Sequence, residues 1–594
     1  MPRTRNRPLF LGLFFAAGIA GLLSASCHSP SPGFLRAHEG QIVNGQGEVV
    51  LLRGMGLGGW MLQEGYMFHL GSLGTQRRIR TAFENILGKE GGDQFYEQWL
   101  KNHTQKADID SLAAWGFNSV RLPMHYRLYT LSVGEEPVPG EQTWLEQGFA
   151  LTDSLLAWCR ENRMYLILDL HAAPGGQGND LNIADRDPRT PSLWESEANR
   201  EKTIALWRKL AERYAQEEWI GGYDLLNETN WGFEDSTDVH GIREQSNAPL
   251  RRLLMDITQA IREVDTNHLI FLEGNGFANN YNGIFPVWDD NLVLSFHKYG
   301  NFNTRESIRR FLDLRKKHQI PLWLGESGEN SNTWFTEAIE LCEKHGIGWA
   351  WWQLKKMGIN NPLEIPQPEG YEQLLEYVQS PSSHPKQISR ERAAEVLEQL
   401  LKNLRIENNI FHRDVIDAMF RQVRSYEARP FVPHRATVGS SIQAVDFDLG
   451  RQRAAYFDRD SASYHYTPGV HTTGNRGRAY RNDGVDIQPD GKGYHVFHIE
   501  DGEWLQYTVE VRETGIGRLL LQVADTTGGG QISIRVDDHT MTNPVPVPHT
   551  PTLTAWETVP VEIPELPFGK AAIRIHAEKG GFTLKSLAFS ALAP

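Results

Sequence analysis

Two glutamates in this chain, Glu228 and Glu326, each end a short apolar run. The first run, residues 222–228, reads Gly-Tyr-Asp-Leu-Leu-Asn-Glu, and the second, residues 321–326, reads Pro-Leu-Trp-Leu-Gly-Glu. Apolar runs of this length, bounded by Gly or Pro, are typical of buried strands, and a carboxylate at the C-terminal end of a strand projects into a mouth where chemistry is possible. Two such carboxylates suggest cleavage of glycosidic bonds.

The elements that must position these glutamates alternate between strand and helix patterns. Eight candidate strands lie at residues 49–57, 118–122, 165–170, 222–226, 268–273, 292–296, 322–325 and 347–352. Amphipathic helical patterns lie between several of them, at residues 144–163, 197–216, 247–264, 305–318 and 333–345. Eight such units predict a (β/α)8 TIM barrel with its active residues at the C-terminal ends of the strands.

A doubly wound open sheet is the structural alternative. It would place a Gly-x-Gly-x-x-Gly turn directly after an early strand, where a helix N-terminus binds a phosphate. The Gly-rich segment 54–59 lacks that spacing, and Trp60 follows where the helix should begin. The barrel therefore remains the favoured fold.

Several strand ends carry polar or aromatic side chains together: Arg121, His171, Asn227, Glu228, His297, Tyr299, Glu326 and Trp352. This ordered series resembles glycoside hydrolase family 5, the cellulase-like family of (β/α)8 retaining hydrolases, over residues 38–380. Segments 53–60 and 171–177 are most similar to its exo-β-1,3-glucanase branch. The resemblance implies a secreted hydrolase acting on a β-linked glucan, and a β-mannan-active member of the same family is the alternative.

The resemblance also implies how the work is divided. Glu228 would be the general acid/base and Glu326 the nucleophile of a double displacement. Arg121 would orient Glu326, and His297 and Tyr299 would position the nucleophile and the substrate. Taken singly, Arg121 could equally be a structural ion-pair partner and His297 a core histidine.

Three further positions would contact the sugar before the cleaved bond. Asn227 would donate a hydrogen bond to the 2-hydroxyl, His171 would contact the ring, and Trp352 would form the floor of the subsite. The alternatives are purely structural: His171 could be a buried core histidine, and Trp352 could only pack within the barrel.

Two other function classes compete with this interpretation. A metal-hydrolase barrel would use His171 and His297 at strand ends, but the sequence shows neither a His-x-His on the first strand nor a compact ligand set. We therefore expect no metal and no cofactor in the catalytic site. A non-catalytic carbohydrate-binding surface protein would retain aromatic residues but could dispense with Glu228 and Glu326.

The composition limits the partners. The formal net charge of -14 argues against nucleic acid and against anionic lipid, since neither would be attracted electrostatically. A neutral polysaccharide or oligosaccharide fits this charge. Seventeen Trp and eighteen Tyr also permit stacking on sugar rings, although most aromatic side chains pack cores.

The N-terminus, residues 1–27, has a basic start and a short apolar stretch, and small residues precede Cys27. This resembles a secretory signal with a bacterial lipobox, which would make Cys27 a lipidated first residue followed by a linker, residues 28–38. Simple cleavage with release and an uncleaved anchor remain alternatives. We expect export to a bacterial cell envelope as a lipoprotein, and otherwise to the periplasm or the exterior. Any membrane contact would run through this anchor alone.

We expect the barrel domain with a helical extension to span residues 39–428 and a β-sandwich (jelly roll) to span residues 434–594. Segments 442–448, 479–487, 493–504 and 581–584 resemble family 6 carbohydrate-binding modules.

Several positions of this module depart from the resemblance. His498 stands where the family has a stacking aromatic residue, and Trp556 would supply the second one. Gln443 and Val445 replace acidic residues of the opening strand, so a structural calcium ion in this module is doubtful, because hard oxygen ligands are lost. Sugar binding by the module and a purely structural role both remain open.

Overall fold

The computed structural model describes residues 33–379, 388–491, 493–537, 539 and 541–592. The predicted signal segment 1–27 and the predicted lipid attachment at Cys27 lie outside these residues. Across the described ranges, no helix combines the length and the apolar character that crossing a bilayer requires.

Eight parallel strands close into a barrel, which confirms the predicted fold class. The strands are β1 (Arg53–Gly56), β2 (Ser119–His125), β3 (Tyr165–Ala172), β4 (Ile220–Asp224), β5 (Ile270–Glu273), β6 (Leu292–Lys298), β7 (Leu322–Gly328) and β8 (Gly348–Trp352). Apart from the first residue of β1, every residue of these strands is buried, as expected for parallel strands that are covered by helices outside and packed side chains inside.

Helices surround the barrel and extend it. They are α1 (Gln76–His103), α2 (Lys106–Trp115), α3 (Glu146–Glu161), α4 (Glu197–Tyr214), α5 (Ala248–Arg262), α6 (Asn275–Ala278), α7 (Arg309–His318), α8 (Asn332–Lys344), α9 (Tyr371–Gln379), α10 (Arg390–Asn403) and α11 (Arg413–Arg424). The sequence did not indicate α1 and α2. Gly88, with a φ of 76°, kinks α1, and the two halves share no single apolar stripe, so no helical period stands out.

A small antiparallel hairpin closes the N-terminal end of the barrel. It joins Arg36–His38 to Gln41–Val43, and the neighbouring side chain of Leu35 packs in the same cluster as Trp323 inside the barrel. The predicted hairpin over residues 41–52 is reduced to a turn at residues 44–48, across which only Val43 and Val49 pair.

Two six-stranded sheets form the C-terminal β-sandwich, in agreement with the predicted fold class. The strands are β9 (His434–Ala436), β10 (Ser441–Gln443), β11 (Tyr456–Phe457), β12 (Ile487–Asp490), β13 (Gly493–Val496), β14 (Trp504–Val511), β15 (Ile516–Ala524), β16 (Gln531–Val536), β17 (Val545–Pro546), β18 (Glu557–Glu562), β19 (Gly569–Lys579) and β20 (Thr583–Ala591). Along β19 the buried residues Ala571, Ile573, Ile575 and Ala577 alternate with more exposed ones, because successive side chains of a strand face opposite sides.

Buried polar groups join the sandwich to the barrel just beyond β7. Asn332 donates its backbone N–H to the carbonyl oxygen of Asn482 (2.7 Å), and Asn482 donates its own N–H to Asp414 Oδ2 on α11 (2.8 Å). The side chain of Asn332 donates to the same oxygen of Asp414 (2.8 Å). Since buried polar groups are costly when unpaired, these reciprocal hydrogen bonds fix the way in which the two domains meet.

Candidate active site

The two glutamates singled out by the sequence meet at the C-terminal mouth of the barrel. Glu228 follows β4 and Glu326 lies within β7, and their side chains are largely buried. A carboxylate oxygen of each, together with a ring nitrogen of His297, lie within 4.8 Å of one another. Glu228 adopts a left-handed φ of 38°, a strained conformation for a residue with a side chain, which is found most often at functional sites.

Arg121 on β2 is the central cation of the mouth. Its Nη1 donates to Glu326 Oε2 (2.7 Å), its Nε donates to Asp224 Oδ2 (3.1 Å), and its Nη2 donates to Asn227 Oδ1 (2.8 Å). The guanidinium also contacts Asp169 and Glu273, so four buried carboxylates surround one buried charge. A planar guanidinium with five donors is suited to holding several acceptors at fixed angles.

Glu273 at the end of β5 is a member of the site that the sequence analysis missed. Its Oε2 accepts the backbone N–H of Glu228 (2.6 Å), and its Oε1 contacts both Arg121 (3.0 Å) and His297 Nε2 (3.1 Å). Burial alone would raise the pKa of Glu273, but the charges of His297 and Arg121 lower it to about 2. The available signal was a glutamate that ends a predicted strand.

His297 on β6 links the two candidate catalytic glutamates. Its Nδ1 lies 2.6 Å from Glu228 Oε1 and 3.9 Å from Glu326 Oε1. Burial by itself would lower the pKa of His297, but the carboxylates of Glu273, Glu326 and Glu228 raise it well above its usual value. Both ring nitrogens face carboxylate oxygens, an environment that favours the protonated ring.

Tyr299 completes the surroundings of Glu326. Its hydroxyl donates to Glu326 Oε1 (2.8 Å), while Arg121 holds the other oxygen. Burial and the neighbouring carboxylate of Glu326 raise the pKa of Tyr299, so the phenol keeps its proton and remains a donor. Both oxygens of Glu326 are thus held in one orientation.

Trp352 and His171 form one wall of the mouth. Their rings stack in parallel, with centroids 5.1 Å apart and an interplanar angle of 2°. His171 Nδ1 lies 2.7 Å from Asp169, and its Nε2 lies 3.1 Å from the side-chain nitrogen of Asn227. The indole N–H of Trp352 donates to the hydroxyl of Tyr66 (2.9 Å).

Two glycines, one at the end of the first strand and one just beyond it, press against the indole of Trp352. A Cβ atom added at Gly56 would lie 2.9 Å from a ring carbon, and one added at Gly58 would lie 2.7 Å away. Since Cβ atoms do not approach other carbons this closely, the indole fits only against bare backbone. This contact fixes the plane of the ring.

Glu64, in the loop after β1, is a second residue that the sequence analysis missed. Burial raises the pKa of Glu64 well above its usual value, and the carboxylates of Glu326, Glu329 and Glu228 raise it further. Burial and the neighbouring carboxylates thus both favour the protonated form of Glu64, which can donate a hydrogen bond. The sequence signal was a lone acidic residue after the apolar segment 60–62.

The same trio of Glu228, His297 and Glu326 is the set of side chains that, in the described part of the chain, could converge on a metal ion. Binding a metal would require a deprotonated His297, whereas the surrounding carboxylates raise the pKa of this ring. The contact between His297 Nδ1 and Glu228 Oε1 (2.6 Å) is an arrangement suited to proton transfer.

In the sandwich domain, the two predicted sugar contacts, His498 and Trp556, lie in different surroundings. His498 is exposed and borders a depression that is also lined by Arg459, Leu553 and Thr583. Trp556 is half-buried outside that lining, with its ring against His495 and its indole N–H donating to Asp490. Sugar binding by this domain stays a prediction.

The two positions of the opening strand at which acidic ligands for a calcium ion would be expected, Gln443 and Val445, carry no carboxylate. Gln443 is exposed and Val445 is buried in the core of the sandwich. A carbon side chain offers no ligand to a hard cation. A structural calcium ion here stays an untested expectation.

Residues 81–358 match the family model for cellulase (glycosyl hydrolase family 5), and residues 478–591 match that for carbohydrate binding module (family 6). The chain is 27% identical over 369 residues to a β-xylosidase of Phanerodontia chrysosporium, which covers 56% of this chain and 73% of that protein. It is 24% identical over 329 residues to endoglucanase C of Acetivibrio thermocellus, which covers 44% and 88% respectively. A glucan 1,3-beta-glucosidase of Blumeria graminis is 30% identical over 266 residues, with 43% and 57% covered. These matches agree with both resemblances drawn from the sequence, that of the barrel to family 5 glycoside hydrolases and that of the sandwich to family 6 carbohydrate-binding modules.

Proposed function

We propose that this protein is a retaining glycoside hydrolase that cleaves β-glucosidic linkages in a polysaccharide or oligosaccharide. The observation that carries the proposal is the approach of Glu228 and Glu326, whose carboxylate oxygens lie within 4.8 Å of each other at the barrel mouth. Carboxyl groups about 5 Å apart serve direct attack on the sugar, whereas a wider gap accommodates a water molecule between acceptor and sugar.

In the first step, the Glu326 carboxylate attacks the anomeric carbon while Glu228 gives its proton to the departing glycosidic oxygen. Arg121 and Tyr299 keep both oxygens of Glu326 aimed at that carbon. The Glu228 carboxylate that forms lies beside the His297 imidazolium, which stabilises the new charge.

In the second step, Glu228 removes a proton from water, and the resulting hydroxide displaces Glu326 from the anomeric carbon. The sugar leaves with its original anomeric configuration, because two inversions cancel. Trp352 and His171 form the wall on which that sugar rests, and Asn227 is held by Arg121 close to the nucleophile.

The names of the relatives favour a β-glucan as substrate, since they include an endoglucanase and a glucan 1,3-beta-glucosidase. A β-xyloside or a β-mannan is the competing substrate class within the same chemistry.

A substrate panel tests this function. Purified protein is incubated with β-1,3-glucan, β-1,4-glucan, mixed-linkage glucan, β-mannan and β-xylan, with an α-1,4-glucan as control. We expect reducing sugar from at least one β-glucan, none from the α-glucan, and no effect of a chelator. Proton NMR in the first minutes should show the β-anomer of the product.

Two outcomes would contradict the proposal. If no β-glycan yields product, the enzyme assignment fails. If the α-anomer forms first, the retaining mechanism fails while the glycosidase assignment stands.

We also propose that the protein is exported and carries a lipid on Cys27. The proposal is supported by the basic start, the apolar stretch and the small residues before that cysteine. Mass spectrometry of the native N-terminal peptide should detect an acylated Cys27. An unmodified N-terminus at another position would contradict lipidation.

A further inference from the structure

A loop of the sandwich domain, residues 461–470, lies against the catalytic mouth, and we call it the cleft loop. Tyr466 donates its backbone N–H to the carbonyl oxygen of Gly300 (2.8 Å). Gly300 directly follows Tyr299, whose hydroxyl holds Glu326. The cleft loop is therefore one residue away from a side chain that contacts the candidate nucleophile.

The other end of the cleft loop is bound beyond β7. Asn330 donates its side-chain N–H to the carbonyl oxygen of Ser463 (2.7 Å) and accepts the N–H of Ser463 (3.0 Å). Ser331 donates its hydroxyl to the carbonyl oxygen of Ser461 (2.6 Å). Asn330 and Ser331 are each only 6% exposed, so these hydrogen bonds are shielded from water and hold the loop in place.

The fit between the cleft loop and the barrel is close. A Cβ atom added at Gly300, where φ is +47°, would lie 2.4 Å from the ring of His465. The ring of Tyr464 packs against Phe302 of the barrel, with centroids 4.7 Å apart. These two close contacts, of His465 with Gly300 and of Tyr464 with Phe302, pack the loop tightly against the barrel.

Tyr466 is the large aromatic side chain that the cleft loop leaves exposed. It is 66% exposed, although the backbone that carries it is bonded to the mouth. Partial burial and the carboxylates of Glu228, Glu329 and Asp180 raise the pKa of Tyr466, so its phenol lies within the electric field of the catalytic mouth. An uncovered aromatic ring at the edge of a polar cleft offers an apolar face to the C–H face of a sugar.

The position of the loop also indicates which sugar the ring would meet. β6 ends at Lys298, two residues before Gly300, which holds the cleft loop, and it carries His297, which contacts the proton donor Glu228. This proximity to the proton donor favours the leaving-group side of the scissile bond.

We propose that the cleft loop completes the substrate cleft of the barrel, and that Tyr466 stacks on the sugar ring of the leaving group. This inference rests on the proposed glycosidase function and adds a residue from the second domain to its substrate site. On this view the module helps to build the active site, whatever sugar it binds elsewhere.

Phe568 provides a matched control. It is 65% exposed and belongs to the same domain as Tyr466. It precedes β19, whose first residue pairs with Val511 at one end of β14, whereas Phe457, which leads to the cleft loop, pairs with Trp504 at the other end. β14 has eight residues, and the seven steps between them separate its two ends by about 24 Å.

The experiment compares wild type, Tyr466→Ala, Tyr466→Phe and Phe568→Ala on two kinds of substrate. One is a β-oligosaccharide of four to six rings that wild type hydrolyses, and the other is the β-glycosyl fluoride of the fragment that wild type releases, which has no leaving sugar. We expect Tyr466→Ala to lower kcat/KM on the oligosaccharide about tenfold, the effect of losing one stacking contact, and to leave the fluoride rate within about twofold. Tyr466→Phe and Phe568→Ala should match wild type on both.

The outcomes separate the two proposals. Wild type that is inactive on every substrate overturns both. Active wild type together with Tyr466→Ala at full oligosaccharide activity overturns only the role of Tyr466. An equal loss on the fluoride and on the oligosaccharide also overturns it, because the change would then act on the catalytic residues rather than on the leaving sugar.

Discussion

Glu326→Gln is expected to lower kcat on the best β-glycan about 10⁵-fold, because an amide cannot form the glycosyl ester on which double displacement depends. The fold should persist, since the substitution is isosteric and the amide oxygen can still accept from Arg121 or Tyr299. Initial rates from reducing-sugar release, with circular dichroism as a check on folding, measure the effect. Undiminished activity would refute the assignment of Glu326 as nucleophile.

Glu306→Gln serves as the matched control. Its side chain is 68% exposed and pairs with Arg309 on the surface of the barrel, so we expect its activity to equal that of wild type. A sharper test uses Glu326→Ala with an activated aryl β-glycoside and azide. Azide in the vacated space attacks the face that the carboxylate attacked, and the expected product is the α-glycosyl azide. A β-glycosyl azide would instead assign the acid/base role to Glu326.

Arg121→Met is expected to lower the free energy of unfolding by about 3–5 kcal/mol, because it leaves four buried carboxylates without their shared cation. Asp169, Asp224, Glu273 and Glu326 all lie within 3.2 Å of this guanidinium. Any molecules that remain folded should also lose activity, since Glu326 loses a donor to one oxygen. Urea denaturation followed by tryptophan fluorescence measures the change in stability.

Arg208→Met is the comparison for this prediction. Arg208 is 47% exposed and lies 3.3 Å from Glu263 on the outer surface, so its loss should change stability by less than about 1 kcal/mol. Arg121→Lys keeps a charge but cannot reach all the acceptors, and we expect it to fall between the two methionine variants. If Arg121→Met unfolds at the same urea concentration as wild type, the structural role given to this arginine is wrong.

The barrel could be predicted from the sequence because its strands are continuous apolar runs bounded by Gly and Pro. The predicted runs 292–296 and 322–325 lie within the buried strands β6 and β7. Helix α1 escaped prediction, since Gly88 breaks it and no single apolar stripe runs along its length. The predicted hairpin at residues 41–52 is reduced to a turn because the side chain of Asn44 accepts hydrogen bonds from two backbone N–H groups, those of Gln46 and Glu48.

In the candidate site, too, some residues could be predicted from the sequence and others could not. Glu228 and Glu326 stand at the ends of predicted strands, where a barrel places its reactive groups. Glu273 also ends a strand, but its partners come from β2 and β6, and such long-range pairing leaves no local pattern. The proximity of Tyr466 to the mouth depends on how one domain sits on another, which neither domain's strand periodicity encodes.

The bare backbone of Gly56 and Gly58 against Trp352 limits how this enzyme can diversify. Any side chain at either glycine would displace the indole of Trp352, which we propose supports the reacting sugar, so a single substitution there is expected to disrupt this contact surface. Changes of linkage preference among descendants of this protein are therefore expected in peripheral loops, while Gly56, Gly58 and Trp352 are retained.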